Sequence, residues 1–146
     1  MNSFIKLSAG VLAISILQPS FASNWRDEGS WTHSGHAPSV LREDELIYSW
    51  HVSPHIVPKT ATVTSVEWVI PEYRNGARRQ DYKICLAINH SIDGNTCHYI
   101  SDRYGSTNAF NGMAAGAEFV IMGALRGGGT YPVIATHQNT VTVKYK

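Results

Sequence analysis

Residues 60–70 read TATVTSVEWVI, from Thr60 to Ile70. In an extended chain, Thr62, Thr64, Val66, Trp68 and Ile70 share one face. Ala61, Val63, Ser65, Glu67 and Val69 share the other. This period of two, carried by β-branched and aromatic residues, predicts a strand with one face on a core. Leu46–Ser53 repeats the pattern: Leu46, Tyr48, Trp50 and Val52 fall together, opposite Ile47, Ser49, His51 and Ser53. Thr140–Tyr145 sets Val141, Val143 and Tyr145 on one side. Further strands are expected over Tyr82–Asn89, Cys97–Ser101 and Glu118–Gly123. The last is apolar for most of its length, as an inner strand would be.

Turn signals separate these runs: Ser53-Pro54, Val57-Pro58, Asn75-Gly76, Asp93-Gly94-Asn95 and Gly127-Gly128-Gly129. Helical turns are expected only at Ser39–Asp44 and Met113–Ala117, and Ser23–Arg42 is the loosest stretch. Six or more short strands between regular turns point to a sandwich or barrel. The expectation is an all-β chain: a single-domain antiparallel β-sandwich with one disulfide-closed hairpin.

Met1–Ala22 has the plan of a secretory signal peptide. Lys6 precedes the apolar run Leu7–Leu17, which is shorter than the roughly 20 residues a bilayer span needs. Ser20-Phe21-Ala22 offers small residues at a cleavage site. An uncleaved anchor or a buried N-terminal helix is the alternative. Removing 22 residues from 146 leaves a 124-residue domain over 23–146, with no membrane span. Lys6 leaves with the signal, so the 12 Lys and Arg fall to 11, against 11 Asp and Glu. A neutral domain lacks the basic excess a general nucleic-acid binder needs to displace counterions.

Cys85 and Cys97 are the only cysteines. An even count in an exported chain points to a disulfide, with two free buried thiols as the alternative. They flank Asp93-Gly94, a hairpin turn signal that would bring them into register. There is no second cysteine pair for a metal site.

His33-x-x-His36 and His51-x-x-x-His55 have spacings open to a metal. The second pair needs a helix, and Pro54 sits between its members. No acidic residue nearby completes either set, so no metal or other cofactor is expected. Gly-x-Ser-x-Gly and phosphate-binding patterns are absent, and no catalytic residue is assigned. Arg74, Arg78 and Arg79 around Asn75-Gly76 form a local basic patch, read either as turn solubility or as docking for an acidic partner. Trp and Tyr outnumber Phe, and residues with a polar handle favour interfaces. Trp25 and Trp31 are candidate partner contacts; the alternative is that they cap the core.

Several pieces occur in a telling order: Glu28-Gly29-Ser30-Trp31, Tyr82-Lys83-Ile84-Cys85, Gly105-Ser106-Thr107-Asn108-Ala109-Phe110, Phe119-Val120-Ile121-Met122-Gly123, Gly127-Gly128-Gly129 with Pro132, and Asn139–Tyr145. In this order the chain resembles the flagellar protein FlhE family. The likeness is greatest from Tyr82 onward. It departs over Asp44–Arg79 and in the longer interval between the two cysteines. The resemblance implies a non-enzymatic periplasmic accessory of flagellar assembly. It also implies a chaperone-like role, a role in limiting proton leak through the flagellar type III export gate, and a link to swarming. Implied partners are flagellar export, rod or filament proteins, and a homodimer formed by strand exchange is open. The competing reading is a secreted β-sandwich binding module or adhesin.

Overall fold

The computed structural model describes residues 28–146. The expected signal segment Met1–Ala22 and the contact candidate Trp25 lie outside the described residues. Eight strands follow in chain order: β1 Gly29–Gly35, β2 Ile47–His51, β3 Val63–Val69, β4 Arg79–Ile88, β5 Ser91–Ile100, β6 Tyr104–Thr107, β7 Glu118–Arg126 and β8 Asn139–Tyr145. They form two four-stranded sheets, ordered β1-β8-β3-β6 and β2-β7-β4-β5. Every pairing is antiparallel. The fold is an all-β sandwich.

The core lies between the sheets. Trp31, Val66, Trp68, Ile70, Val141 and Val143 enter it from the first sheet, and Ile47, Ile84, Leu86, Phe119, Ile121 and Leu125 from the second. Phe110, on the loop after β6, meets Phe119 edge-on at 5.3 Å. Each such side chain contributes roughly 1.5–3 kcal/mol by leaving water.

The opening stretch folds as a strand with one change. Val63, Val66, Trp68 and Ile70 are all buried, so one step along the chain is three residues rather than two. A register shift against β8 between Val63 and Ser65 produces it. The bulge turns Val63 inward, away from the face it would share with Glu67 and Val69. In β2 the alternation holds, but the bulkier set faces out. Ile47, Ser49 and His51 are buried, whereas Tyr48 and Trp50 are exposed, as are the flanking Leu46 and Val52.

Other expectations need correction. The loose stretch Ser23–Arg42 contains β1, and the glycine-containing segment Gly105-Ser106-Thr107 is most of β6. Both escape periodicity because glycines stand among their inward positions, Gly29 and Gly35 in β1 and Gly105 in β6. Ser39–Asp44 and Met113–Ala117 are turns and bends rather than helix, and there is no helix among the described residues. The β4–β5 hairpin closes at Asn89-His90, both with positive φ (51° and 60°), not at Asp93-Gly94. Asp93–Thr96 instead bulges within β5, where the register shifts opposite Leu86. Cys85 and Cys97 nevertheless sit directly opposite each other and are bonded.

Candidate functional site

β7 is central in the second sheet, paired on one side with β2 and on the other with β4. Its residues Phe119 to Leu125 are buried without interruption. Phe119, Ile121 and Leu125 point into the sandwich. Val120, Met122 and Ala124 point the other way, and none of them belongs to the core between the sheets. In a two-layer sandwich that outer side should be polar.

The strand register shows what lies there. One row across the sheet runs Trp50, Val120, Cys85, Cys97, and the next runs Tyr48, Met122, Lys83, Tyr99. Val120 and Cys85 have no exposure, and Cys85 Sγ touches Met122 Sδ at 3.6 Å. Around this buried centre stand Tyr99 at 81% exposed, Tyr48 at 42% and Trp50 at 37%. Trp50 lies edge-on to His90 at 6.2 Å. Half-buried Lys83 is the one charge inside the two rows. Polar pairs fringe both ends: Asp81 with Arg79 (2.6 Å) and Arg126 (2.9 Å) at one, and Glu118 with the His90 imidazole (2.9 Å) at the other. An apolar, aromatic centre within a charged rim has the anatomy of an interaction surface.

The residues singled out in the sequence fall elsewhere. Trp31 is 4% exposed, and its indole Nε1 donates to the Ala115 carbonyl at 2.8 Å, so it is a core residue. Arg74, Arg78 and Arg79 are exposed, at the end of the sandwich where the Gly127-Gly128-Gly129 loop packs on Asn75–Arg78. Arg74 lies 3.4 Å from Glu72 and Arg79 pairs with Asp81, so the basic patch is offset by carboxylates. Exposed pairs of this kind contribute little to stability. The outer-face aromatics Tyr48, Trp50 and Tyr99 were legible only as members of alternating strands. Their signal is the second apolar face of Glu118–Gly123.

The histidines sort by strand, not by sequence interval. His33 on β1 meets His51 on β2, with ring centroids 5.4 Å apart and Nδ1 atoms 3.4 Å apart. His51 is fully buried. With its proton assigned to Nδ1, it donates to the His33 carbonyl at 3.1 Å, and Nε2 lies 3.3 Å from Ser49 Oγ. Burial pushes its pKa down to about 4; the charge of His33 acts the same way, and the hydrogen bond to the His33 carbonyl opposes it. Ser49 is buried too, so no substrate reaches this Ser–His pair. Among the described residues no three His, Cys, Asp or Glu side chains converge on a metal-sized space.

Two packed antiparallel sheets, a disulfide joining adjacent strands and an apolar outer face define a disulfide-bridged β-sandwich. The profile of the family described as flagellar protein FlhE matches residues 41–146, and the chain belongs to that family. The match includes the stretch Asp44–Arg79, where the short motifs alone depart. The fold is similar to that of a solved crystal structure of FlhE, with a TM-score of 0.61 and 22% identity. That likeness covers 82% of this chain and 97% of the other. No curated protein matches the chain. The protein is thus flagellum-associated, from a family of flagellar accessory proteins rather than a known enzyme class.

Proposed function

We propose that this protein is a periplasmic accessory of flagellar assembly, acting by protein–protein contact through the outer face of β2-β7-β4-β5. The contact serves a chaperone-like role toward rod or filament proteins and limits proton leak at the export gate. One observation carries the reading: β7 is apolar on both faces although only one meets the core. Leaving Tyr48, Trp50 and Tyr99 around that centre in water forfeits apolar burial that a partner would recover. The disulfide and the signal-like N-terminal segment support an oxidising, exported location. Export places the protein where a rod or filament subunit would meet it.

The test is complementation of a deletion strain with the double variant Tyr48→Asp/Tyr99→Asp. Both side chains are exposed, so stability should change by no more than about 1 kcal/mol. The variant should accumulate in the periplasmic fraction, melt like the parent, and fail to restore swarming and filament placement. Full restoration by a folded, exported variant would remove this face from the function.

A further inference from the structure

The second sheet ends at β5, whose outer edge pairs with no other strand. Two observations fix which main-chain groups that edge offers. First, the β4–β5 hairpin closes through Ile88 and Ser91 around Asn89-His90. Residues flanking a two-residue turn exchange both main-chain bonds, and bonding then alternates along the strand. From Ile88, every second β4 residue therefore faces β5: Leu86, Ile84 and Tyr82. The Leu86 carbonyl does so, accepting from Thr96 Oγ1 at 2.9 Å. Ile84 and Tyr82 lie opposite His98 and Ile100, so those two residues turn their main-chain groups to β4. Second, the Cα atoms of Cys85 and Cys97 are 4.0 Å apart. That is the close spacing of a non-hydrogen-bonded antiparallel pair, about 4.5 Å against about 5.5 Å for a bonded one. Cys97, and Tyr99 two residues on, direct N–H and C=O away from β4. Among the described residues no turn or loop backbone bonds to any of these four groups.

Free edges are commonly blunted by lysine, proline or a bulge. Here the bulge covers Asp93–Thr96 and stops there. Cys97-His98-Tyr99-Ile100 contains neither lysine nor proline. The other edge of the sheet, β2, lies against β1, where His51 meets His33.

An antiparallel copy of the same stretch satisfies all four groups at once. With a two-fold axis at His98, Cys97 lies opposite Tyr99 of the second copy, and Tyr99 opposite its Cys97. Each such pair exchanges two N–H···O=C bonds. An axis at Cys97 would set Tyr99 against Asn95 in the bulge, and an axis at Tyr99 would set Cys97 against Ser101 beyond the strand. Only the His98 axis keeps both pairs within the regular part of β5.

We propose that two copies of this protein pair through their β5 edges, antiparallel about His98, joining their second sheets into one eight-stranded sheet. The pairing is isologous and closed, since each copy presents the stretch that the other completes. Cys97 and exposed Tyr99 stand on the outer face, so the two apolar outer faces become continuous. The pairing is made by main-chain groups and stands whether or not that face contacts a partner.

The test is amide hydrogen exchange of the purified exported protein, disulfide intact, read by NMR at low and high concentration alongside sedimentation equilibrium. So small a contact belongs to the weak class of interface, with an expected Kd of about 100 μM. The Cys97 and Tyr99 amides should exchange at least about threefold more slowly at about 1 mM than at about 20 μM, as mass action requires. The His98 and Ile100 amides, bonded to β4, should exchange alike at both. Tyr99→Pro removes an edge-facing N–H that β4 does not use, a position where a strand accepts proline. It should keep native amide dispersion and weaken association at least about tenfold. The exchange measurement on the parent needs no variant. A protein still monomeric at about 1 mM would leave the edge to a strand of another polypeptide and overturn the proposal. So would Cys97 and Tyr99 amides indifferent to concentration, or association unweakened in a folded Tyr99→Pro. Concentration-dependent shifts confined to Tyr48 and Trp50 would place the second copy on the outer face and overturn it too.

Discussion

Gly123 stands midway along β7 with the Tyr82 ring against the place where a side chain would be. A Cβ there would also press on the Asp81 carbonyl, which is backbone and cannot swing aside. Gly123→Ala should therefore destabilise the protein by about 1–3 kcal/mol, read as a lower denaturant midpoint at unchanged slope. A variant as stable as the parent would show that Tyr82 repacks freely. The sequence marks none of this. Phe119-Val120-Ile121-Met122-Gly123 reads as a strand that stops at its glycine, yet β7 continues to Arg126. The need for glycine arises from Tyr82, on another strand and some forty residues away. Trp31 has the same lesson: its type says interface or core, and only the distant Ala115 carbonyl decides for core.

At the scale of elements, the edges β1 and β2 of the two sheets meet where His51 faces His33. His51 has a folded pKa near 4 against about 6.5 in the unfolded chain. Its pKa is lowered on folding, so between these values the unfolded state binds a proton that the native state refuses. Stability is full above about pH 6.5 and falls as the pH drops to about 4, by roughly 3 kcal/mol from this group. Below that both states are protonated and the loss levels off. His51→Asn keeps a donor for the His33 carbonyl and removes the titration. Its melting temperature should fall less than that of the parent between pH 7 and pH 4.5; an equal fall would assign acid sensitivity to other groups. Alternation in Leu46–Ser53 showed that His51 shares a face with Ile47, but not that this face is the inner one. Hydrophobicity favours the Trp50 face, and only the position of the other sheet settles it. The hairpin differs for a related reason. Asp93-Gly94 is the stronger local turn signal, but the pairs Ile88–Ser91 and Ala87–Ile92 close the chain at Asn89-His90, and Asp93–Thr96 is a bulge between them and the Cys85–Cys97 pair. The disulfide closes a short loop worth about 3 kcal/mol on a chain-entropy basis.

Across the whole molecule, among the described strands only β4 and β5 pair with a neighbour in sequence. β1 pairs with β8 from Gly29 to Tyr145, across nearly the whole described chain. Such non-local pairing must close large loops before it stabilises anything, so refolding with the disulfide intact should take milliseconds to seconds. Refolding within about 100 μs in a stopped-flow or temperature-jump experiment would contradict the topology. The all-β class, the inner character of β7 and the cysteine pairing were legible from residues 60–70 outward, because alternation, β-branching and turn residues are local properties. Strands β1 and β6 were not, because Gly35 and Gly105 are small for contacts made by other strands, against Ser49 and Trp68. The order of short motifs pointed to the flagellar family without any structure. The aromatic outer face belongs to the tertiary structure alone. Sequence determines which residues alternate and which turn, through the covalent geometry of each short segment. Which face of a strand meets the core is decided only when distant segments compete for the same interior.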